Sequence, residues 1–327
     1  MNVSLSVIGK LSYYQEELNR LGIILNDIGI PAIGNPNTPK DKRYEYWASK
    51  MQKNITRLLE NGIQKSHILI NIPINQVIYK DIKEISKLIT FIKENEISKI
   101  IIIKGNGNMG TTPISVSDFV SEFRERTKEL GIKLYVALYP SRKLAWSKEI
   151  LGKCTFLDTS HLSSQIEKIK KLNNLVDGYI TQITVNGVKA SQWLNQMAKN
   201  TDKPIFLGVS APTDKKLDIR HVRTQLYYIC NDEKFLLDES MFTILLRVLR
   251  KPTKWLKILR TMNLGIVDMM WRFRLTRTRS FEKLIDDLSN NITKGKEIDI
   301  HFNSGGQSPK EAMRYIQLLE RLKVASS

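Results

Sequence analysis

The chain has 327 residues, 42% of them hydrophobic, and a net charge of +18 from 51 Lys and Arg against 33 Asp and Glu. That length exceeds one small domain and suits one large α/β barrel, and no low-complexity tract or linker divides it. Two cysteines, Cys154 and Cys230, without a Cys-x-x-Cys pair, exclude a zinc ribbon or a disulfide framework.

The opening MNVSLSVIGKLSYYQ has no charged stretch leading into a long apolar core, so it does not read as a secretory signal. No apolar run reaches the roughly 18 residues that span a membrane. A soluble, cytoplasmic protein without a transmembrane segment is expected. The excess of positive charge suits anionic partners such as phosphorylated cofactors, acidic lipid or nucleic acid, or it simply solvates helix faces.

In chain order, the first β-branched runs are Val3–Ile8 and Ile23–Ile30. The stretch 31–40, PAIGNPNTPK, follows and is expected as a loop on the catalytic face. An amphipathic helix at Tyr44–Asn61 precedes a strand at His67–Pro73, and a helix at Lys80–Glu96 precedes a strand at Lys99–Lys104. Val116–Leu130 then leads to Lys133–Tyr139, Leu162–Leu172 to Asp177–Val185, and Val188–Lys199 to Pro204–Val209. After a long basic segment come a helix at Phe281–Ile292 and a strand at Ile298–Asn303. Ser115, Ser117 and Ser280 are expected N-caps and Gly295 an expected stop.

Several strands, such as the four isoleucines at 100–103, are continuously apolar, which signals burial on both faces of a parallel sheet. Eight strands alternating with helices predict an α/β fold of the (β/α)8 TIM-barrel kind. The whole chain, 1–327, reads as one barrel domain with extra helices, and an open doubly wound sheet is the alternative.

The segment 238–279 is a basic helical insertion broken by Pro252 and Gly265. Barrel helices, a lid over the active face, and a docking surface for a partner or acidic membrane are the readings it allows. Nucleic acid is not expected, because no recognised module accompanies the charge.

Catalytic side chains of a barrel sit at the C-terminal ends of its strands. The fourth strand ends in IIIIKGNGNMG, where Lys104 can neutralise a phosphate and Gly105, Gly107 and Gly110 let backbone approach a ligand. This is not a P-loop, and a Gly-rich turn alone would explain the glycines. The fifth ends in YVALYPSRK, bringing Tyr139, Arg142 and Lys143; the sixth in YITQITV, with Thr181 and Gln182. An amide there can pair with a heterocycle edge, or it is a satisfied core amide. The eighth ends in DIHFNSGGQ, with His301 and Asn303 two residues apart and a Gly-Gly turn suited to phosphate.

His67, His161, His221 and His301 show no metal-ligand spacing, so no metal site is expected. The acids near strands, Asp27 and Asp158, read as isolated, which argues against a two-carboxylate glycosidase.

The strand ends together resemble those of the methylenetetrahydrofolate reductase family. The family's Arg-Gly-Asp after the fourth strand is similar to Lys104-Gly105-Asn106, and its V-A-x-Y-P to VALYP at 136–140. Its I-T-Q is similar to Ile180-Thr181-Gln182, its P-I-x-x-G-I to the run from Pro204 to Val209, and its final H-F to His301-Phe302. The likeness covers about 80–214 and 280–323.

It implies a flavin (FAD) lying across the strand ends, NAD(P)H as electron donor and a folate-type pterin as substrate. The implied activity is reduction of a methylene-pterin to a methyl-pterin in one-carbon metabolism. Flavin contacts would come from Lys104, Gly105, Ala137, Tyr139, Lys143 and Lys171. Pterin contacts would come from Gln182, Thr181, His301, Asn303 and Gln307, and the catalytic positions would be Asn106, Gln182 and Ser6.

Several of these depart from the family. Ser6 stands in place of a glutamate, Asn106 in place of an aspartate, Lys143 in place of a histidine, and Gln307 in place of an arginine. Serine is a poor general acid. A flavin-independent methyl-transfer enzyme, or a partner-dependent or oligomeric subunit, is the alternative on the same barrel.

Overall fold

The computed structural model describes residues 2–6, 16, 20, 24–30, 38–78, 85–104, 115–139, 159–184, 187–210, 281–293, 299–303, 309–319 and 322. Eight parallel strands close into a barrel in the order of the sequence. They are β1 (Asn2–Ser6), β2 (Ile24–Ile30), β3 (Ile68–Pro73), β4 (Lys99–Ile103), β5 (Lys133–Leu138), β6 (Gly178–Thr184), β7 (Ile205–Ser210) and β8 (Asp299–Asn303). The ring is sealed where Val3 pairs with Ile300 and Ser6 with Asn303.

The helices are α1 (Arg43–Glu60), α2 (Ile85–Glu94), α3 (Val116–Thr127), α4 (Thr159–Leu172), α5 (Gly187–Met197), α6 (Phe281–Asn291) and α7 (Pro309–Leu318), with a further α-turn at Ile74–Val77 and short 3-10 turns at Lys40–Lys42, Lys65–His67 and Lys128–Leu130. Ser115 caps α3 as expected, its hydroxyl accepting from the Asp118 amide at 3.1 Å. Ser117 lies inside α3 instead of capping it. Ser280, Gly295 and the insertion 238–279 lie outside the described residues.

The alternation of strand residues separates two cores. Ile68, Ile70, Ile72, Ile100, Ile102, Leu134, Val136 and Leu138 face the helices, where they meet Trp47, Phe119, Phe123, Trp193 and Phe281. The alternate set, Leu69, Ile101, Tyr135, Ile180 and Phe206, packs separately inside the barrel. Tyr135 meets Phe206 edge-on there, with ring centroids 5.8 Å apart. This apolar layer fills the barrel, so the interior is a plug and not a channel.

Below the plug, at the N-terminal end, Lys99 donates to Asp27 in a buried ion pair. Asp27 is therefore not isolated, as its sequence neighbourhood suggested; its partner lies 72 residues away on β4. On the outer shell, Gly187 lets α5 approach α6 closely. A Cβ there would lie 2.5 Å from the Leu284 carbonyl oxygen, and Ser191 reaches the Leu288 carbonyl at 3.4 Å.

Candidate active site at the barrel mouth

Parallel register fixes which strand ends share a level. Ile102 pairs with Val136, so the chain leaving β4 at Lys104 stands beside the end of β5. Ala137 pairs with Ile180 and Leu138 with Thr181. Gly208 pairs with His301 and Ser210 with Asn303. The positions singled out on β4, β5, β6 and β8 therefore gather at one end of one barrel.

The edge between β6 and β7 is irregular at the Thr181–Gln182 step. Register runs from Ile180 opposite Phe206 to Ile183 opposite Gly208, so β6 advances by three residues where β7 advances by two. The extra residue disrupts the ladder, and the Thr181 hydroxyl repairs it by accepting from the Gly208 amide at 2.8 Å. Thr181 is buried at 4% exposure, which suits this backbone role. Bulges of this kind re-aim strand ends beside active sites.

The end of β5 is held by α4. The Tyr139 amide donates to Gln165 Oε1 at 3.3 Å, and Lys168 Nζ donates to the Ala137 carbonyl at 2.8 Å. The Lys168 ammonium also stands 5.8 Å from the centre of the Tyr139 ring. Burial, reinforced by repulsion from Lys104, pushes the Lys168 amine down to about 8.

Lys104 itself is exposed at the end of β4, and its carbonyl accepts from the Asn75 amide at 3.2 Å. On β3, Asn71 is buried and ties the neighbouring strand, donating to the Ile30 carbonyl at 2.6 Å. His301 is half-buried on β8, and desolvation pushes its imidazole down to about 4. It is therefore neutral at physiological pH, with one ring nitrogen to donate and one to accept.

Of the sequence-derived site residues, Lys104, Ala137, Tyr139, Thr181 and His301 come together with the backbones of Gln182 and Asn303. Ser6 lies in β1, in register with Asn303. Lys171 is exposed on α4, one turn from the lysine that reaches β5. Gly105, Asn106, Lys143 and Gln307 lie outside the described residues.

Lys168 and Gln165 were not singled out from sequence. Gln165, Ile169 and Leu172 make the buried stripe of α4, and Lys168 flanks it. A lysine beside such a stripe can run its stem along apolar surface toward a strand end. Among the described residues no group of three or more His, Cys, Asp or Glu could hold a metal ion, and no helix is long and apolar enough to cross a membrane.

Comparison with protein-family models and with curated proteins finds no match. Among solved structures, the chain is similar to the tryptophan synthase complex from Pyrococcus furiosus, at 13% identity and a TM-score of 0.34, covering 68% of this chain and 82% of that one. It is similar to a structure from Aquifex aeolicus at 11% identity and a TM-score of 0.43, covering 99% of this chain and 91% of that one. It is also similar to the carboxyl transferase domain of Rhizobium etli pyruvate carboxylase, at 9% identity and a TM-score of 0.42, covering 100% of this chain and 48% of that one. The chain is an α/β (β/α)8 barrel, on the order and closure of its own strands.

Proposed function

We propose that the chain is a divergent methylenetetrahydrofolate reductase-like enzyme, an oxidoreductase that passes a hydride to a methylene-pterin and releases the methyl-pterin. One observation carries the reading. Lys104, the run Val136-Ala137-Leu138-Tyr139 and the run Ile180-Thr181-Gln182 end three adjacent strands, with Ala137 beside Ile180 and Leu138 beside Thr181.

An FAD cofactor is part of the proposal, and the donor set fits a flat anionic ligand. Tyr139 is an aromatic group at the end of β5, and Lys104 is an exposed cation at the end of β4. A flavin bound there would relay the hydride from NAD(P)H. The chain's own residues bind and orient. Lys104 offers a charge to a phosphate and Tyr139 a face for stacking, and by the family resemblance the Gln182 amide would make paired hydrogen bonds to a pterin edge. His301, neutral, donates or accepts without adding charge. With Ser6 and Asn106 in place of acids, protonation of the pterin nitrogen falls to water or to another group of the mouth.

Visible absorbance of the purified protein, followed by anaerobic NAD(P)H oxidation with a methylene-pterin, tests this reading. A flavin band together with pterin-dependent oxidation is expected. A colourless protein that takes up no added flavin and never oxidises NAD(P)H with the pterin ends it.

The residues at the two acid positions favour a second reading, methyl transfer on the same pterin site without flavin. Methyl-pterin formed from a methyl donor in the absence of reductant would identify it.

A further inference from the structure

Asn71 on β3 is buried, held in place and half used. It is 6% exposed, and its Nδ2 donates to the Ile30 carbonyl at 2.6 Å. The Trp47 indole donates to the Asn71 carbonyl at 3.2 Å and pins the same residue from the helix side. The contact with Ile30 fixes which way the amide faces, because the turned-over amide would set two oxygens against each other. Oδ1 therefore points away from Ile30, and no described residue donates to it. Among the described residues Oδ1 is not one of the fully enclosed side-chain atoms that lack a partner, so it keeps an opening.

The strand pattern shows where that opening leads. Asn71, Ala137 and Gly208 follow Leu69, Tyr135 and Phe206 of the plug by two residues each, on the alternate strands β3, β5 and β7. They face the same interior, one layer nearer the mouth. In that single step the inward groups shrink from Leu, Tyr and Phe to Asn, Ala and Gly. The plug thus becomes the apolar floor of a recess, with the Asn71 amide on its wall. His301, opposite Gly208 on β8, is neutral, so these four residues bring no charge to it.

We infer that Asn71 is a specificity-determining residue of the mouth, its Oδ1 accepting from an uncharged ring N–H of a ligand that descends past Ala137 and Gly208 onto the plug. The ligand group must be a donor, because Oδ1 only accepts. It must also be uncharged, because an ammonium would rest on an apolar floor with no carboxylate beside it. The N–H of a cyclic amide or imide meets both demands. An acceptor fixed in a buried site discriminates against an analogue without the donor, which would leave that acceptor unpaired. The inference rests on the mouth being the ligand site, but not on flavin or hydride transfer.

Ligand-observed NMR titration of the full-length protein with uracil, a neutral cyclic imide, and with 1,3-dimethyluracil, which has no N–H, tests it. Wild type should bind uracil about fivefold or more tightly than the dimethyl compound. Asn71→Leu keeps the bulk and removes the acceptor, so the ratio should fall to about one. If the leucine variant does not fold, Asn71→Ala supplies the same ratio. Ala137→Leu should fill the recess and abolish uracil binding.

Wild type that binds neither compound, or that does not prefer uracil, overturns the inference. A preference that survives in the Asn71 variants also overturns it, since the methyl groups are then rejected by bulk and Asn71 merely ties β3 to β2. A colourless protein inert toward methylene-pterin that still shows the Asn71-dependent preference defeats the reductase and leaves this role standing. A working flavoprotein without the preference does the reverse.

Discussion

The two ends of the barrel treat charge in opposite ways. At the floor, charged groups are paired. Lys99 meets Asp27, and Arg124 threads the loops below β5 and β6, donating to Leu175 O at 2.8 Å, Ile132 O at 2.9 Å and Asp177 Oδ2 at 2.6 Å. Asp177 in turn accepts from the Leu134 amide at 2.8 Å, which locks the start of β5. At the mouth, Lys168 donates to the neutral Ala137 carbonyl, Lys104 is exposed, and His301 is held neutral. The plug of Leu69, Ile101, Tyr135, Ile180 and Phe206 separates the two regimes. The contrast follows the division of labour in barrels, with stability at the N-terminal face and chemistry at the C-terminal one.

The largest effect should come from breaking the floor. Desolvation raises the Asp27 carboxyl above its ordinary range despite the attraction of Lys99, so the pair does not fully offset its own burial. Lys99→Met leaves that carboxylate without its partner and should cost about 3 kcal/mol in urea denaturation. Asp27→Leu combined with Lys99→Met should recover most of that loss, because two apolar groups carry no desolvation cost. If the single variant is as stable as wild type, the floor is not where charge is fixed, and the comparison of the two ends collapses.

A smaller effect is expected at the bulge. Thr181→Val keeps the shape of the side chain and removes the hydroxyl that accepts from the Gly208 amide. A buried amide left without an acceptor costs about 1–2 kcal/mol, read as a lower thermal midpoint. Thr181→Ser should restore most of it. Full stability in the valine variant would mean that β6 and β7 re-register without the bulge, and a strand-swap at the mouth would then be visible in amide exchange of Gly208.

The strands were legible in sequence because continuous β-branched runs have few other uses. The expected Lys133–Tyr139 and the observed Lys133–Leu138 differ by one residue, and Ile23–Ile30 by one at its start. Helix α7 was not anticipated, although Met313, Ile316 and Leu319 keep helical spacing and are buried. Strand-end positions such as Lys104, Tyr139 and Thr181 were readable because a barrel dictates where strand ends go.

Pairings made across the fold were not readable. Asp27 and Lys99 lie 72 residues apart, and Lys168 contacts Ala137 across 31 residues. A helix rich in lysines gives no local sign of which one turns inward. The Thr181 hydroxyl accepts from the backbone of β7, a contact set by a bulge that depends on the neighbouring strand and has no local sign in the sequence.

The finest distinction between the two ends is the state of His301. Its ordinary pKa is 6.5, and burial lowers it to about 4 in the folded chain. The unfolded chain takes up a proton near pH 6.5 that the folded chain refuses until about pH 4. The contribution of His301 to stability is therefore complete above pH 6.5 and is lost as pH falls toward 4. Between pH 8 and pH 6 that loss amounts to about 1 kcal/mol. His301→Gln should flatten this part of the profile, so the difference between wild type and variant at the two pH values isolates it from other titrating groups. In the folded protein, the His301 ring proton resonance should hold constant from pH 8 to pH 5. A resonance titrating near 6.5 would put the ring in bulk-like water, and the mouth would then lack the dry environment that lowers Lys168 as well.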